Sequence, residues 1–289
     1  MKIILKILTT LVSILFVAAG TVAIFYFVVK NSYGIDLIAT YNQMKLLNEL
    51  VDEESTYKNK FGNEDLEEMK TSINTSLGDV VTYEEGKGFN GYVVDFSKFN
   101  GVITSSLMLN EKTTGAMLQS ALYNQTNGQI EFGNTKVGME LIEVNFLNID
   151  KDSNVDFNAT IKLDLTSLVS TLKDFPLNLI KGMIPNYVYA SSTVTATKGS
   201  DGFEYSVSSK ELTLNKLDDK NSEELINTFN KILKTGKKED LNISIGGALV
   251  DGLIGNEATK GFAYSLKEIG AKSYSFMVKE GVNYFCVNK

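Results

Sequence analysis

The sequence predicts an α+β protein: an N-terminal transmembrane helix followed by one exported domain with a long-stranded, mainly antiparallel sheet and packed helices. Three observations carry that prediction. Ile7 to Val29 runs 23 residues without a charge, long enough at ~1.5 Å of helical rise per residue to cross a hydrocarbon core of ~30 Å. Beyond Asp79 the apolar residues recur mainly at every second position, the period of a half-buried strand. Helical stripes interrupt those strands without strict strand–helix alternation, which favours hairpins over parallel crossovers.

The apolar opening has two readings. Lys2 and Lys6 could supply the basic start of a signal peptide, and Ala18, Ala19 and Ala23 offer small residues near a cleavage point. The run continues through Ile24, Phe25, Tyr26, Phe27, Val28 and Val29, beyond the ~7 to 15 apolar residues of a signal peptide, so an uncleaved anchor is expected. No cysteine lies near its end, so a lipid-modified amino terminus is not. Lys2, Lys6 and the terminal amine precede the span and Lys30, Asp36 and Lys45 follow it, a weak positive bias that places the short N-terminal side in the cytoplasm. The expected division is 1–30 as tail and anchor, 31–78 as a helical juxtamembrane region, and 79–289 as an α+β extracytoplasmic domain.

The remaining elements follow in chain order. Ile35 to Asp52 reads as a helix with a stripe of Leu37, Tyr41, Met44, Leu47 and Val51. Glu53 to Gly62 is a polar break. A second helix has Asn63 as cap, Glu64, Asp65, Glu67 and Glu68 at its positive end, a stripe of Leu66, Met69, Ile73 and Leu77, and Gly78 as stop. Val80–Tyr83 and Tyr92–Phe96 read as strands about a glycine-rich turn, and Asn110 caps a helix to Leu122.

Val155, Phe157, Ala159, Ile161 and Leu163 alternate with Asp156, Asn158, Thr160 and Lys162, the strongest strand signal in the chain. Val137, Met139 and Leu141 occupy one phase and Ile142, Val144 and Phe146 the other, which places a bulge at Leu141–Ile142. Asp164 caps a helix carrying Leu165, Leu168, Val169 and Leu172. Tyr187–Thr197 and Phe203–Ser209 form a second hairpin, and Leu212–Leu214 reads as a separate strand. Asn221 and Glu224 suggest a capping box for a helix with Leu225, Ile226, Phe229, Ile232 and Leu233, ending at Gly236. Asp240–Ile254 reads as helix despite its glycines; Phe262–Leu266, Tyr274–Val278 and Val282–Val287 read as strands.

Composition excludes several chemistries. There is no His, Arg or Trp, which removes the usual general base near neutral pH, the Ser–His–acid triad, most catalytic zinc sites and the bidentate phosphate clamp. Lys2, Lys6 and Lys30 account for three of the 28 basic residues, so 25 remain beyond the anchor against 35 acids, net −10. That sign repels nucleic acid. The single Cys286 cannot form an internal disulfide; a reactive thiol or an intermolecular bridge stays open, but with no His to activate it, it reads first as a buried small hydrophobe.

Four patterns invite a site, and each has a plainer account. Gly86, Gly88 and Gly91 match dinucleotide spacing, but a strand follows where the phosphate-binding helix is required, so they read as a hairpin turn. Asp150, Asp152, Asn154 and Asp156 resemble the start of a calcium loop, yet Val155 and Ile161 occupy the positions that need Gly and Glu. Ser170 and Lys173, with Lys234-Thr235-Gly236, have the spacing of penicillin-binding enzymes but lack the intervening Ser-x-Asn motif. Phe157, Phe203, Tyr205, Phe262 and Tyr264 suit either a filled core or an apolar groove. No catalytic, metal or cofactor residue is expected.

The order of short basic tail, single span and exported α+β domain, with Ile184-Pro185-Asn186-Tyr187-Val188-Tyr189-Ala190-Ser191-Ser192-Thr193-Val194 as a proline followed by a long strand, is similar to the YpmS-like group of membrane-anchored proteins of low-GC Gram-positive bacteria. That resemblance implies an envelope-facing protein and carries no functional residues. The expected function is a non-enzymatic binding module at the outer face of the cytoplasmic membrane, for a protein partner or an apolar lipid-like ligand. The alternatives are a structural component of an envelope or division complex and a Ser–Lys hydrolase.

Overall fold

The computed structural model describes residues 37–49, 51–95, 98, 101–132, 135–171, 184–215, 217–233 and 237–289. The proposed anchor, Lys173 and Lys234-Thr235-Gly236 lie outside them. Among the described residues no helix is long and apolar enough to cross a membrane.

The fold is α+β with antiparallel sheets, as the alternating patterns predict, but among the described residues three sheets replace the single one expected. The largest has five strands in sequence order: β4 (Gln129–Phe132), β5 (Thr135–Leu147), β6 (Val155–Asp164), β7 (Tyr187–Lys198) and β8 (Tyr205–Leu214). A three-stranded sheet orders β3 (Leu107–Asn110), β10 (Val282–Asn288) and β9 (Ser273–Lys279), and β1 (Val81–Tyr83) pairs with β2 (Tyr92–Val94). The β9–β10 turn has positive φ at Glu280 and Gly281, the geometry that matches the twist of a tight hairpin,.

The β5–β6 register breaks between Leu141 and Glu143, so the change of apolar phase marks a real bulge,. A second register shift at Thr193–Val194 lets β8 run unbroken to Leu214. The separate strand expected at Leu212–Leu214 is therefore the end of β8.

The helices are α1 (Leu37–Leu47), α2 (Glu53–Thr56), α3 (Asn63–Leu77), α4 (Glu111–Thr126), α5 (Thr166–Ser170), α6 (Asp219–Leu233), α7 (Lys238–Asn242), α8 (Ala248–Leu253) and α9 (Phe262–Ser265). One π-turn, Ile243–Gly247, joins α7 to α8. Gly246 makes its close approach to the sheet possible: a Cβ there would lie 2.6 Å from Val194 Cγ1. Asn110 caps α4 as expected, accepting from the Thr113 amide at 2.9 Å. Elsewhere the caps differ. Gly62 is the cap residue of α3, its amide donating to Asp65, and Asp218 rather than Asn221 accepts the first amides of α6.

Phe262–Ser265 is helical, not a strand, because Gly255 and Gly261 pack backbone to backbone and turn the chain sharply into α9. Tyr41 also departs from its expected place: it is 48% exposed, while Met44 and Leu47 are buried.

Val155, Phe157, Ala159, Ile161 and Leu163 form the spine of one continuous core, reached from above by Leu118 and Leu122 of α4 and by Ile245, Leu249 and Val250. Met44 and Leu47 of α1 and Leu66, Met69 and Ile73 of α3 belong to that same core. The helices of the 31–78 stretch are thus packed together with the 79–289 stretch. Phe146 bridges the two larger sheets, with ring centroids 6.0 Å from Phe157 and 5.1 Å from Phe276.

Candidate functional site

The alternation in β6 puts Asp156, Asn158, Thr160, Lys162 and Asp164 on the face opposite the core. That face is not simply solvated, since Asp156 and Thr160 are buried. Its groups bond one another in cross-strand rows. Asn145 donates to Asn158 at 2.9 Å and Asn158 to Thr193 at 2.9 Å; Asp156 accepts from Asn148, Thr195 and Lys210. A buried polar group left unpaired would be costly, and these rows satisfy theirs.

The segment from α2 to Phe61 straps across one end of this face. Tyr57 packs on Tyr189 with centroids 5.4 Å apart, in a small apolar cluster with Ile142 and Val51. Lys60 forms an antiparallel bridge with Glu143, and the Asn59 amide donates to Glu143 at 3.2 Å. Glu53 gathers three donors: Lys60, Lys162 and the Tyr189 hydroxyl. Burial alone would raise the Glu53 pKa, but those three bonds outweigh it and hold the carboxyl down at about 2,.

Beside the strap, β4 covers only part of the β5 edge. β4 pairs with β5 only as far as Gly138. Beyond it the edge donors of β5 are met by other groups: Met139 by the Gly128 carbonyl at 2.8 Å, Leu141 by the Gln119 side chain at 2.7 Å, and Phe146 by Glu111 at 2.6 Å,. A cleft of about 370 Å³ lies at this place, lined by Phe89, Gln119, Tyr123, Met139, Glu140, Lys162, Asp164 and Tyr187, among others.

Glu140 and Lys162 are register partners on adjacent strands, yet Lys162 directs its ammonium to Glu53 and lies 4.7 Å from the Tyr187 ring centre. Among the described residues, half-buried Glu140 is left with no hydrogen bond and no ion pair. Burial raises its pKa, opposed by the charges of Lys162 and Lys60. The cleft lining thus sets two carboxylates, Glu140 and Asp164, beside the aromatic residues Phe89, Tyr123 and Tyr187.

The patterns singled out from the sequence lie elsewhere. Gly86, Gly88 and Gly91 take positive φ in the β1–β2 hairpin turn, and a Cβ at Gly88 would fall 2.1 Å from the Tyr92 carbonyl oxygen. Asp150 closes the β5–β6 turn by accepting from the amides of Asp152 and Asn154, which fixes the loop without an ion,. No group of three or more Cys, Asp or Glu among the described residues could hold a metal. Ser170 donates to the Ser167 carbonyl at 2.6 Å. Phe157, Phe203 and Phe262 are buried core residues, and Cys286 is buried with its thiol pushed up to about 11 by desolvation.

Sequence reading missed the strap, because Glu53 to Gly62 registers as a polar break. Its apolar members, Tyr57 and Phe61, were the available signal; both are buried. No protein-family model, curated protein or solved structure matches the chain.

Proposed function

We propose that this chain is a membrane-anchored, extracytoplasmic, non-enzymatic binding module whose ligand enters the cleft at the β5 edge. The observation that carries the reading is Glu140: a half-buried carboxylate with no partner among the described residues, on a face where neighbouring polar groups are bonded to one another. A half-buried carboxylate with no hydrogen bond of its own is expected where a ligand completes the site. The charge-free run Ile7–Val29 supports the tether. Tyr123, Tyr187 and Phe89 beside ionisable groups favour a ligand with both polar and apolar parts, or a protein segment presenting them,.

The test uses the full chain in its membrane, with a photo-crosslinking residue replacing Tyr187 at the cleft and, separately, Val102, which is 66% exposed outside it. A discrete light-dependent adduct at the Tyr187 position alone is the expected result. Equal labelling at both positions, or none at either, would discard the reading. Protease added to spheroplasts should digest the body, and survival of the body would remove the extracytoplasmic placement.

A further inference from the structure

The charge balance of the cleft narrows what it can hold. Among its described lining residues the lysine is Lys162, which pairs with a Glu53 carboxylate shared with Lys60 and sits over the Tyr187 ring. Its two carboxylates are not matched in the same way: Asp164 accepts the Thr166 amide at 2.9 Å, while Glu140 has no hydrogen bond among the described residues. Lys60 is also bound to Glu53, so one carboxylate serves two lysines, and the charges of both lysines still act on Glu140. Glu53, Glu140 and Asp164 against Lys60 and Lys162 leave the cleft and its rim with one net negative charge, beside the aromatic residues Phe89, Tyr123 and Tyr187.

We propose that the cleft holds the ammonium group of an organic cation, with the Glu140 carboxylate as its ion-pair partner and the neighbouring aromatic rings as its wall. This rests on the binding reading above and names the ligand class. Carboxylate plus aromatic faces is the chemistry that recognises alkylammonium groups, since ring quadrupoles attract a cation that has shed part of its water. Lys162 over Tyr187 is the internal precedent, a cation already seated on one of these rings. Cross-strand Glu140 would ordinarily pair with Lys162. Glu53 from the strap takes the Lys162 ammonium as its hydrogen-bond partner, so Lys162 acts on Glu140 through its charge and not through a direct bond.

The experiment titrates the full chain, in uncharged detergent micelles, with choline and with its neutral isostere 3,3-dimethylbutan-1-ol, following ligand NMR signals. Choline should bind saturably and the alcohol about tenfold more weakly or less, with Glu140→Gln weakening choline by about tenfold. Glu223→Gln, in a separate groove near Lys210 and Asp219, should leave choline binding unchanged. Thermal unfolding of Glu140→Gln, expected at or above the wild-type temperature, separates lost binding from lost fold. Equal binding of choline and the alcohol, or unchanged choline affinity in Glu140→Gln, overturns the cation inference and leaves the binding module standing. Absence of choline binding in the wild type also overturns it, and the Tyr187 crosslink then decides the wider reading by itself.

Discussion

The Tyr189 hydroxyl donates to the Glu53 carboxylate at 2.7 Å across 136 residues of chain. This bond ties β7 to the strap that follows α1, and Lys162 of β6 joins the same carboxylate. The polar face is therefore closed at one end by residues that arrive from the N-terminal side.

Removing the Glu53 charge should loosen the strap. Glu53→Gln leaves two lysines and a phenol short of their acceptor and is expected to destabilise the fold by roughly 2–3 kcal/mol at neutral pH. Because its folded pKa, about 2, lies below the 4.5 of an ordinary glutamate, the contribution is present above that unfolded value. It disappears as pH falls from about 4.5 towards 2. Urea melts across that range should show a shallower pH slope in the variant; parallel slopes would refute the assignment.

Glu140 should behave with the opposite sign. Burial raises its folded pKa, so the folded state binds more protons than the unfolded one just above the ordinary carboxylate range. Stability contributed at this position rises as pH falls through that window and is lowest once Glu140 is ionised. Glu140→Gln is expected to be neutral or stabilising at pH 7, and a marked drop in melting temperature would contradict this.

Asn242 is fully buried between the π-turn and the sheet. Its side chain donates to the Thr193 carbonyl at 2.7 Å and to Ser209 at 2.9 Å, and accepts from Ser192 at 2.6 Å. Asn242→Ala strands three groups and should lower stability by about 3 kcal/mol, while Ser192→Ala should lower it by about 1 kcal/mol. Chemical denaturation of both variants checks the ratio.

Phe146 is the hinge of the aromatic core between the two larger sheets. Phe146→Ala should destabilise by about 3–5 kcal/mol, with Phe146→Leu retaining most of that. Calorimetry should show one transition falling in temperature. Separate melting of the β9–β10 region would show that the sheets are less coupled than this ring contact implies.

Gly88 combines a φ of +57° with a Cβ position blocked by the Tyr92 backbone. Gly88→Ala should cost about 1–3 kcal/mol by forcing the hairpin open. Gly86→Ala, where a Cβ meets nothing within 4 Å, should be milder, and equal losses would count against the steric account.

The strands were legible where one face is wholly apolar. Val155 to Leu163 and the phase change at Leu141–Ile142 declared both the strand and its bulge. The reading failed where tertiary contact overrides local pattern: Phe262 to Leu266 alternates like a strand, but the Gly255–Gly261 contact turns it into a helix. It also failed where polar residues are buried by one another. Asp156 and Thr160 look solvent-facing in sequence, and only pairing with Asn148, Thr195, Lys210 and Ser191 shows why they are not. Glu140 carries no sequence signal at all, because its isolation depends on where Lys162 turns.

Cys286 sits inside β10 between Phe285 and Val287, all three buried. A thiol titrating near 11 stays protonated and sluggish toward oxidants at neutral pH,. Refolding of the body therefore has no covalent pairing step to wait for, and reductant or glutathione in the buffer should change neither its yield nor its rate.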